Sequence, residues 1–460
     1  MTSDPNHQYV WVWLPDAATP VVCGRVWREG TIHRFLYGRS YLERAGALPL
    51  FGLPLSDGPL DPPPGMSLHG ALRDALPDAW GQHVILSRLT GRSGLDGDPA
   101  DLTPITYMRH SSSDRFGAID FQDAPDAYRA RLEPVTLDDL AAAARALEEG
   151  RPIQAELDAA LAHGTTVGGA RPKATLVDET GGLIAKFSSS SDGGVPAVRH
   201  EYLALQLARL CGVDTVDAAL TTAAGRDALL VRRFDRSQEG GRTLAVSGLT
   251  MLQLDEMVGR YATYPDLLDV LRRHAPDPDR VGEQLFVRIA ANIALGNTDD
   301  HARNHAALWD GSHLTLAPAY DIDPCRTPGW DANQAMAYGR QGERVANLAE
   351  LVKTHPIYDL DRPTAVGIVE RLVTTIMESW DAVVDQAGLT RTQADTLRGS
   401  RILHPATTDN LTVGPRRFPG TGRRLSAALN AVRQQSTGHS APAPDLRPPG
   451  PQPRSPRLSR

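Results

Sequence analysis

The spacing of apolar residues changes along the chain, and the changes divide it. Residues 8 to about 55 hold short runs rich in β-branched and aromatic side chains. Two of them, 9–14 (Tyr-Val-Trp-Val-Trp-Leu) and 21–26 (Val-Val-Cys-Gly-Arg-Val), predict strands. Asp61-Pro62-Pro63-Pro64-Gly65 is a rigid connector. Leu72, Leu76, Trp80, Ile85 and Leu86 then recur at roughly helical intervals, interrupted by Pro77. Residues 1–130 therefore read as a small mixed β/α domain. Beyond it the pattern predicts a helix from Thr136 to Glu149 and a short strand at 183–187 (Leu-Ile-Ala-Lys-Phe). A helix at 196–210 closed by Gly212 and a strand at 228–234 follow. Residues 281–295 form an apolar helix with Leu285, Phe286, Ile289, Ala290 and Ile293 on one broad face, and Gly296 stops it. Asp310-Gly311 predicts a hairpin with a two-residue turn over 308–314. Most of 345–433 reads as helix. Residues 434–460, rich in Pro and Arg, cannot bury a core and are expected to be a disordered tail.

Composition narrows the function classes. A hydrophobic content of 41% and a charged content of 22% are ordinary for a soluble globular protein. A formal net charge of -7 argues against general electrostatic binding to nucleic acid. Cys23, Cys211 and Cys325 are far apart and form neither a metal-ligand spacing nor a disulfide framework, which points to a reducing cytoplasm. The first residues lack the basic start and apolar run of a secretory signal. No apolar stretch approaches the roughly 18 residues of a membrane span, so no membrane partner is expected.

The run Gly296-Asn297-Thr298-Asp299-Asp300-His301-Ala302-Arg303-Asn304 carries the chemistry. Asp299 precedes Asn304 by five positions, and Asp321 follows beyond the hairpin in Leu316-Ala317-Pro318-Ala319-Tyr320-Asp321. Protein kinases use this order: an acid that orients the attacking hydroxyl, then an amide and a second acid that hold magnesium on ATP. Asp299 would take the hydroxyl's proton. Asn304 and Asp321 would offer oxygens to magnesium, which needs few protein ligands when phosphates and water complete its shell. Taken alone, Asp299 is an ordinary capping or turn residue; the joint pattern with Asn304, the hairpin and Asp321 reverses that. Asp300 is adjacent and competes for the same role, but the spacing to Asn304 favours Asp299. His301 either contacts nucleotide or holds the loop.

Two further pieces fit a nucleotide lobe. Lys186 interrupts an apolar strand, where a charge needs a partner or a ligand. A kinase strand lysine grips the α/β-phosphates and pairs with a helix glutamate, and Glu201 on the next helix is the best candidate. The turn Thr166-Val167-Gly168-Gly169-Ala170-Arg171-Pro172-Lys173 allows close backbone approach to phosphate. It is neither a Walker A sequence nor G-x-G-x-x-G, and in isolation it would be a plain hairpin turn. Its place before the Lys186 strand gives it weight.

Together these residues resemble the HipA-type serine/threonine kinase family, the toxin halves of bacterial toxin–antitoxin pairs. The matching runs are 168–173, Ala185-Lys186-Phe187, 200–208 (His-Glu-Tyr-Leu-Ala-Leu-Gln-Leu-Ala), Arg233-Phe234-Asp235-Arg236, 296–304 and 316–321. The run 72–81 (Leu-Arg-Asp-Ala-Leu-Pro-Asp-Ala-Trp-Gly) resembles the family's N-terminal subdomain. The resemblance implies an α+β, protein-kinase-like two-lobed fold. A small β-rich subdomain would span 1–130, and a kinase-like domain would span 131–433, its nucleotide lobe reaching to about 245 and a mainly helical lobe following. It implies Asp299 as catalytic base and Asn304 and Asp321 as magnesium ligands. ATP would be bound by Lys186, by His301 and by the loop Gly168, Gly169, Ala170, Arg171, Pro172 and Lys173, with the hinge around Arg232 to Phe234. An acidic residue is frequent at the hinge start, where this chain has Arg232.

The same resemblance implies autophosphorylation at Thr166, with Thr165 adjacent, and a growth-arresting role in the cytoplasm. Protein substrates of the family include aminoacyl-tRNA synthetases. The usual partner is a helix-turn-helix antitoxin on a separate chain, through which contact with DNA would be indirect. Two alternatives compete: a small-molecule kinase, and a catalytically inactive module acting with its antitoxin as a DNA co-repressor. The intact Asp299, Asn304, Asp321 and Lys186 set argues against the second.

Overall fold

The computed structural model describes residues 6–90, 97–131, 136–149, 173–179, 181–189, 192, 195–326, 329 and 331–411. The glycine-containing loop at 168–172, Thr165, Thr166 and the tail at 434–460 lie outside the described residues. Among the described residues no helix is long and apolar enough to cross a membrane.

The chain opens with strands β1 (His7–Val12), β2 (Val21–Glu29) and β3 (Ile32–Tyr37). With β4 (Ile119–Gln122) they form an antiparallel sheet in the order β3-β2-β1-β4. Alternation of buried and half-buried positions in β3 places Phe35 and Tyr37 on the core side. Gly24 in β2 is required by packing: a Cβ there would lie 2.4 Å from the Leu36 carbonyl oxygen and 2.6 Å from the Phe35 ring. The helical periodicity around Pro77 resolves into two helices, Gly70–Asp74 and Ala79–Thr90. Asp78 restarts the second by accepting the Gly81 N–H at 2.7 Å.

A second antiparallel sheet, ordered β5-β6-β8-β7, follows. Its strands are β5 (Lys173–Asp178), β6 (Gly181–Phe187), β7 (Ala218–Ala223) and β8 (Arg226–Arg232). Helix Leu137–Glu148 packs its apolar face with Leu176, Leu183, Ala185 and Phe187 of this sheet. Helix Ala197–Leu210 buries Leu203, Ala204, Leu205 and Leu207 in the larger core that runs through the rest of the molecule. The strand expected at 228–234 ends at Arg232, because the Arg233 side chain turns into a buried ionic cluster described below.

The remaining lobe is mainly helical. A three-stranded sheet, β11-β10-β9, is built from β9 (Ala245–Ser247), β10 (Ala306–Trp309) and β11 (Leu314–Leu316). Helix Tyr264–His274 packs on β11 and on helix Pro278–Leu295, which in turn packs on helix Arg362–Gln386. Helix Pro278–Leu295 begins three residues before the expected Val281, since Pro278 suits the first helical turn, where its missing N–H costs nothing. Gly296 ends it in the left-handed region at φ 71°, and an added Cβ would lie 2.5 Å from the Arg401 carbonyl oxygen. The β10–β11 connection is longer than the two-residue turn expected at Asp310-Gly311, since Trp309 pairs with Leu314. The reason is local: the Asp310 carboxylate accepts the N–H groups of Ser312 at 2.8 Å and His313 at 2.6 Å, stabilising an Asx-type loop.

A buried ionic cluster fastens the first sheet region to the second. Arg233 donates to Asp235 and Asp114, both at 2.9 Å, and to the Arg115 carbonyl at 2.6 Å. Arg236 binds the same Asp114 at 2.8 Å, and Asp235 accepts the Gly117 N–H at 2.7 Å. Burial pushes the Asp114 carboxyl up, but the Arg233, Arg236 and Arg242 guanidinium groups outweigh it and hold the carboxyl well below its usual range. Removing one partner of a buried set leaves the rest uncompensated. Arg233→Met is expected to destabilise the protein by about 3–5 kcal/mol, read as a lowered urea midpoint. An unchanged midpoint would show that the cluster does not fasten the two regions.

Candidate functional site

A cleft opens where all three regions meet. Leu76 and Phe116 come from the first region, Ile184 and Val231 from the second sheet, and Phe234 and Tyr320 from the connections beyond. These supply apolar walls. Phe234 and Tyr320 stack with centroids 5.7 Å apart and planes 28° from parallel. Polar groups converge elsewhere in the same cleft: Lys186, Lys173, Asp78, His301, Asn304 and Asp321.

Lys186 is the centre of the polar set. It sits in β6 opposite Leu229 of β8 and Lys173 of β5. Its ammonium donates to Glu201 of helix Ala197–Leu210 and to Asp321, each at 2.5 Å. Burial alone would lower the Lys186 pKa, but Asp321 and Glu201 outweigh it, and the ammonium is held above its usual range. Burial pushes the Glu201 carboxyl up. At Asp321 burial also acts upward, yet Lys186 and Lys173 prevail and hold the carboxyl at about 2. Asp321 adopts a left-handed backbone at φ 59°. A non-glycine residue in that region costs roughly 1–3 kcal/mol and persists where surrounding structure imposes it.

The loop after Gly296 is braced from below by Asp300. This carboxylate is buried and accepts from Asn292 Nδ2 at 2.5 Å, from His305 Nε2 at 3.0 Å and from the Tyr264 hydroxyl. Asn297 Nδ2 reaches Asn292 Oδ1 at 3.1 Å. Asp300 is thereby committed inside the lobe, while its neighbour Asp299 is exposed to solvent. The Asp299 carbonyl accepts the His301 N–H at 2.9 Å and Asn304 Nδ2 at 3.2 Å. That second bond orients the Asn304 amide with its nitrogen toward the loop, leaving its oxygen as the candidate ligating atom. His301 lines the cleft, and its Nδ1 is buried without a hydrogen-bond partner among the described residues. Arg303, from the same loop, lines the cleft and pairs with Glu256.

Arg232 and Phe234 both line the cleft. The Arg232 side chain is engaged by Asp178 in a two-pronged pair at 2.8 and 2.9 Å. The cleft thus gathers Lys173, Lys186, Arg232, Phe234, His301, Asn304 and Asp321, with Asp299 bonded to one of its walls. Sequence reasoning did not place Asp74, Leu76, Asp78 or Phe116 in this cleft. The run 72–81 was visible as a motif; that Asp78 meets Lys173 of the second sheet and Asp74 meets Ser247 of β9 depends on the tertiary packing.

The donor set suits a magnesium nucleotide. One carboxylate and one amide oxygen are the sparse hard-oxygen set magnesium takes when phosphates complete its shell. An ammonium beside them suits phosphate, an apolar stacked wall suits a base, and the orphaned His301 nitrogen suits a ligand atom.

Residues 165–380 match the HipA-like C-terminal domain. "Putative kinase Y4mE" of Sinorhizobium fredii is 26% identical over 208 residues, covering 43% of this chain and 46% of that protein. A "Putative kinase" of Haemophilus influenzae is 23% identical over 181 residues, covering 35% and 52%. The chain spans about half the length of these curated relatives. Among solved structures, the Shewanella oneidensis MR-1 toxin–antitoxin complex of HipA, HipB and operator DNA contains a similar chain. The TM-score is 0.60 at 17% identity, over 86% of this chain and 95% of that one. The fold is therefore the expected α+β, kinase-like one.

The depressed Asp321 carboxyl has a pH signature. Its folded-state value, about 2, lies below the ordinary 3.8. Its contribution to stability is therefore present above 3.8 and is lost as pH falls through about 2. The stability gap between the unaltered protein and Asp321→Asn, measured by urea unfolding, should be largest near neutrality and shrink across this acid window. A gap that stays constant would show that the carboxylate is not stabilised by Lys186.

Proposed function

We propose that this chain, a member of the HipA-like kinase family, is a magnesium- and ATP-dependent protein serine/threonine kinase. The observation that carries the reading is the convergence of Lys186, Asn304 and Asp321 on one cleft, with Asp299 bonded through its carbonyl to Asn304.

Bound Mg-ATP would supply the transferable phosphoryl group and the metal's neutralisation of phosphate charge. The chain's own groups do the rest. Lys186, kept charged by Glu201 and Asp321, offers its ammonium to phosphate oxygens. Asn304 and Asp321 present the metal-binding oxygens. Asp299, open to solvent, is available to an incoming hydroxyl, orients it and accepts its proton as it attacks. Asp300 cannot share that task, because its carboxylate is buried and its Oδ2 already accepts from Asn292, His305 and Tyr264. Its part is to keep the loop in place. The walls of Phe116, Phe234, Tyr320 and Val231 hold the base and exclude water.

The finer reading follows the family. We assign self-phosphorylation to Thr166 or its neighbour Thr165, a growth-arresting toxin role, and a helix-turn-helix antitoxin on another chain as partner. The exposed base favours a hydroxyl presented on a protein over a small substrate enclosed in a pocket.

Asp299→Gln is expected to lower transfer of labelled phosphate by about 10²–10⁴-fold, with Mg-ATP affinity retained. Near-normal transfer would reject Asp299 as the base. Mass spectrometry after incubation with Mg-ATP should find phosphate on Thr166 or Thr165 of the unaltered chain and not on Asp299→Gln. Phosphate on neither threonine of the unaltered chain would remove the self-modification assignment.

A further inference from the structure

We propose, resting on the kinase reading, that Asp78 is a counter-ligand in the nucleotide cleft: its carboxylate competes with phosphate for Lys173 and thereby sets nucleotide affinity from outside the catalytic lobes.

The argument starts from strand register. Lys173 of β5 and Lys186 of β6 are direct antiparallel partners, so their side chains project from the same face of the sheet. Two ammonium groups side by side repel unless each has its own anion. Lys186 has Glu201 and Asp321. Lys173 has Asp78, with Nζ to Oδ2 at 3.1 Å and side-chain exposures of 3% and 2%. All four of Lys173, Lys186, Asp78 and Asp321 line the same cleft. Asp78 differs from Glu201 and Asp321 in origin. It belongs to the first region, at the start of helix Ala79–Thr90, where its other oxygen accepts the Gly81 N–H.

A phosphate that draws on Lys173 must leave Asp78 buried with its charge less compensated, and must itself lie near that charge. Both effects oppose binding. Neither involves the base of the nucleotide. The penalty therefore falls on phosphates alone, and anything that moves helix Ala79–Thr90 shifts it.

Asp78→Asn keeps the shape and an oxygen for Gly81 but removes the charge. Calorimetry on the full chain should show Mg-ATP binding about tenfold tighter, with adenosine binding unchanged. Asp78→Ser, another good helix-capping residue, should give the same split and serves if the Asn variant folds poorly. Paired with Lys173→Met, the Asp78→Asn gain should largely disappear. Unchanged or weaker ATP binding in both folded variants would overturn the proposal, as would a parallel change for adenosine. Absence of Mg-ATP binding by the unaltered chain would overturn the kinase reading and this proposal with it, a result distinct from binding that ignores Asp78.

Discussion

One buried ammonium organises the centre of this molecule. Lys186 lies between Ala185 and Phe187 in an otherwise apolar strand, where an unpaired charge could not persist. Its partners come from two directions: Glu201 from the helix that packs on the sheet, and Asp321 from the segment after β11. The pairing draws the sheet and the helical lobe together at the cleft. It also holds Asp321 in a left-handed conformation that an aspartate adopts at some cost. The strained backbone falls at the carboxylate that we propose as a magnesium ligand.

Around that centre the protein uses buried charge as fastening. Arg233, Arg236, Asp114 and Asp235 lock the first region to the second. Asp300 collects Asn292, His305 and Tyr264 beneath the active loop. Asp78 and Lys173 tie the first region to the second sheet a second time. Such buried charged sets contribute rigidity and a defined geometry more than net stability. The cleft is thus walled by all three regions, and the first region is structurally part of the site.

The chain's local signals were a good guide to its elements. Gly296 as a helix stop, Gly212 after helix Ala197–Leu210 and the Lys186 strand all follow from short-range physics. Where expectation and structure differ, a side chain competes with the backbone pattern. Asp310 captures two N–H groups and lengthens the β10–β11 loop, and Arg233 leaves the strand for Asp114. The residue pattern Asp299, Asn304 and Asp321 stood out because the kinase chemistry we propose calls for those types in that order. The different surroundings of Asp299, exposed, and Asp300, buried, were not legible, since adjacent acids look alike until burial separates them. Phe116 and Asp78 were invisible as cleft residues because nothing local marks which loop of one region will meet a sheet of another.

The most direct test is calorimetric titration of Mg-ATP into the purified chain beside Lys186→Met. The account predicts saturable, magnesium-dependent binding to the unaltered protein and its loss in the variant. Equal affinity in the two, or no binding to either, would contradict the claim that this cleft is a nucleotide site built on Lys186.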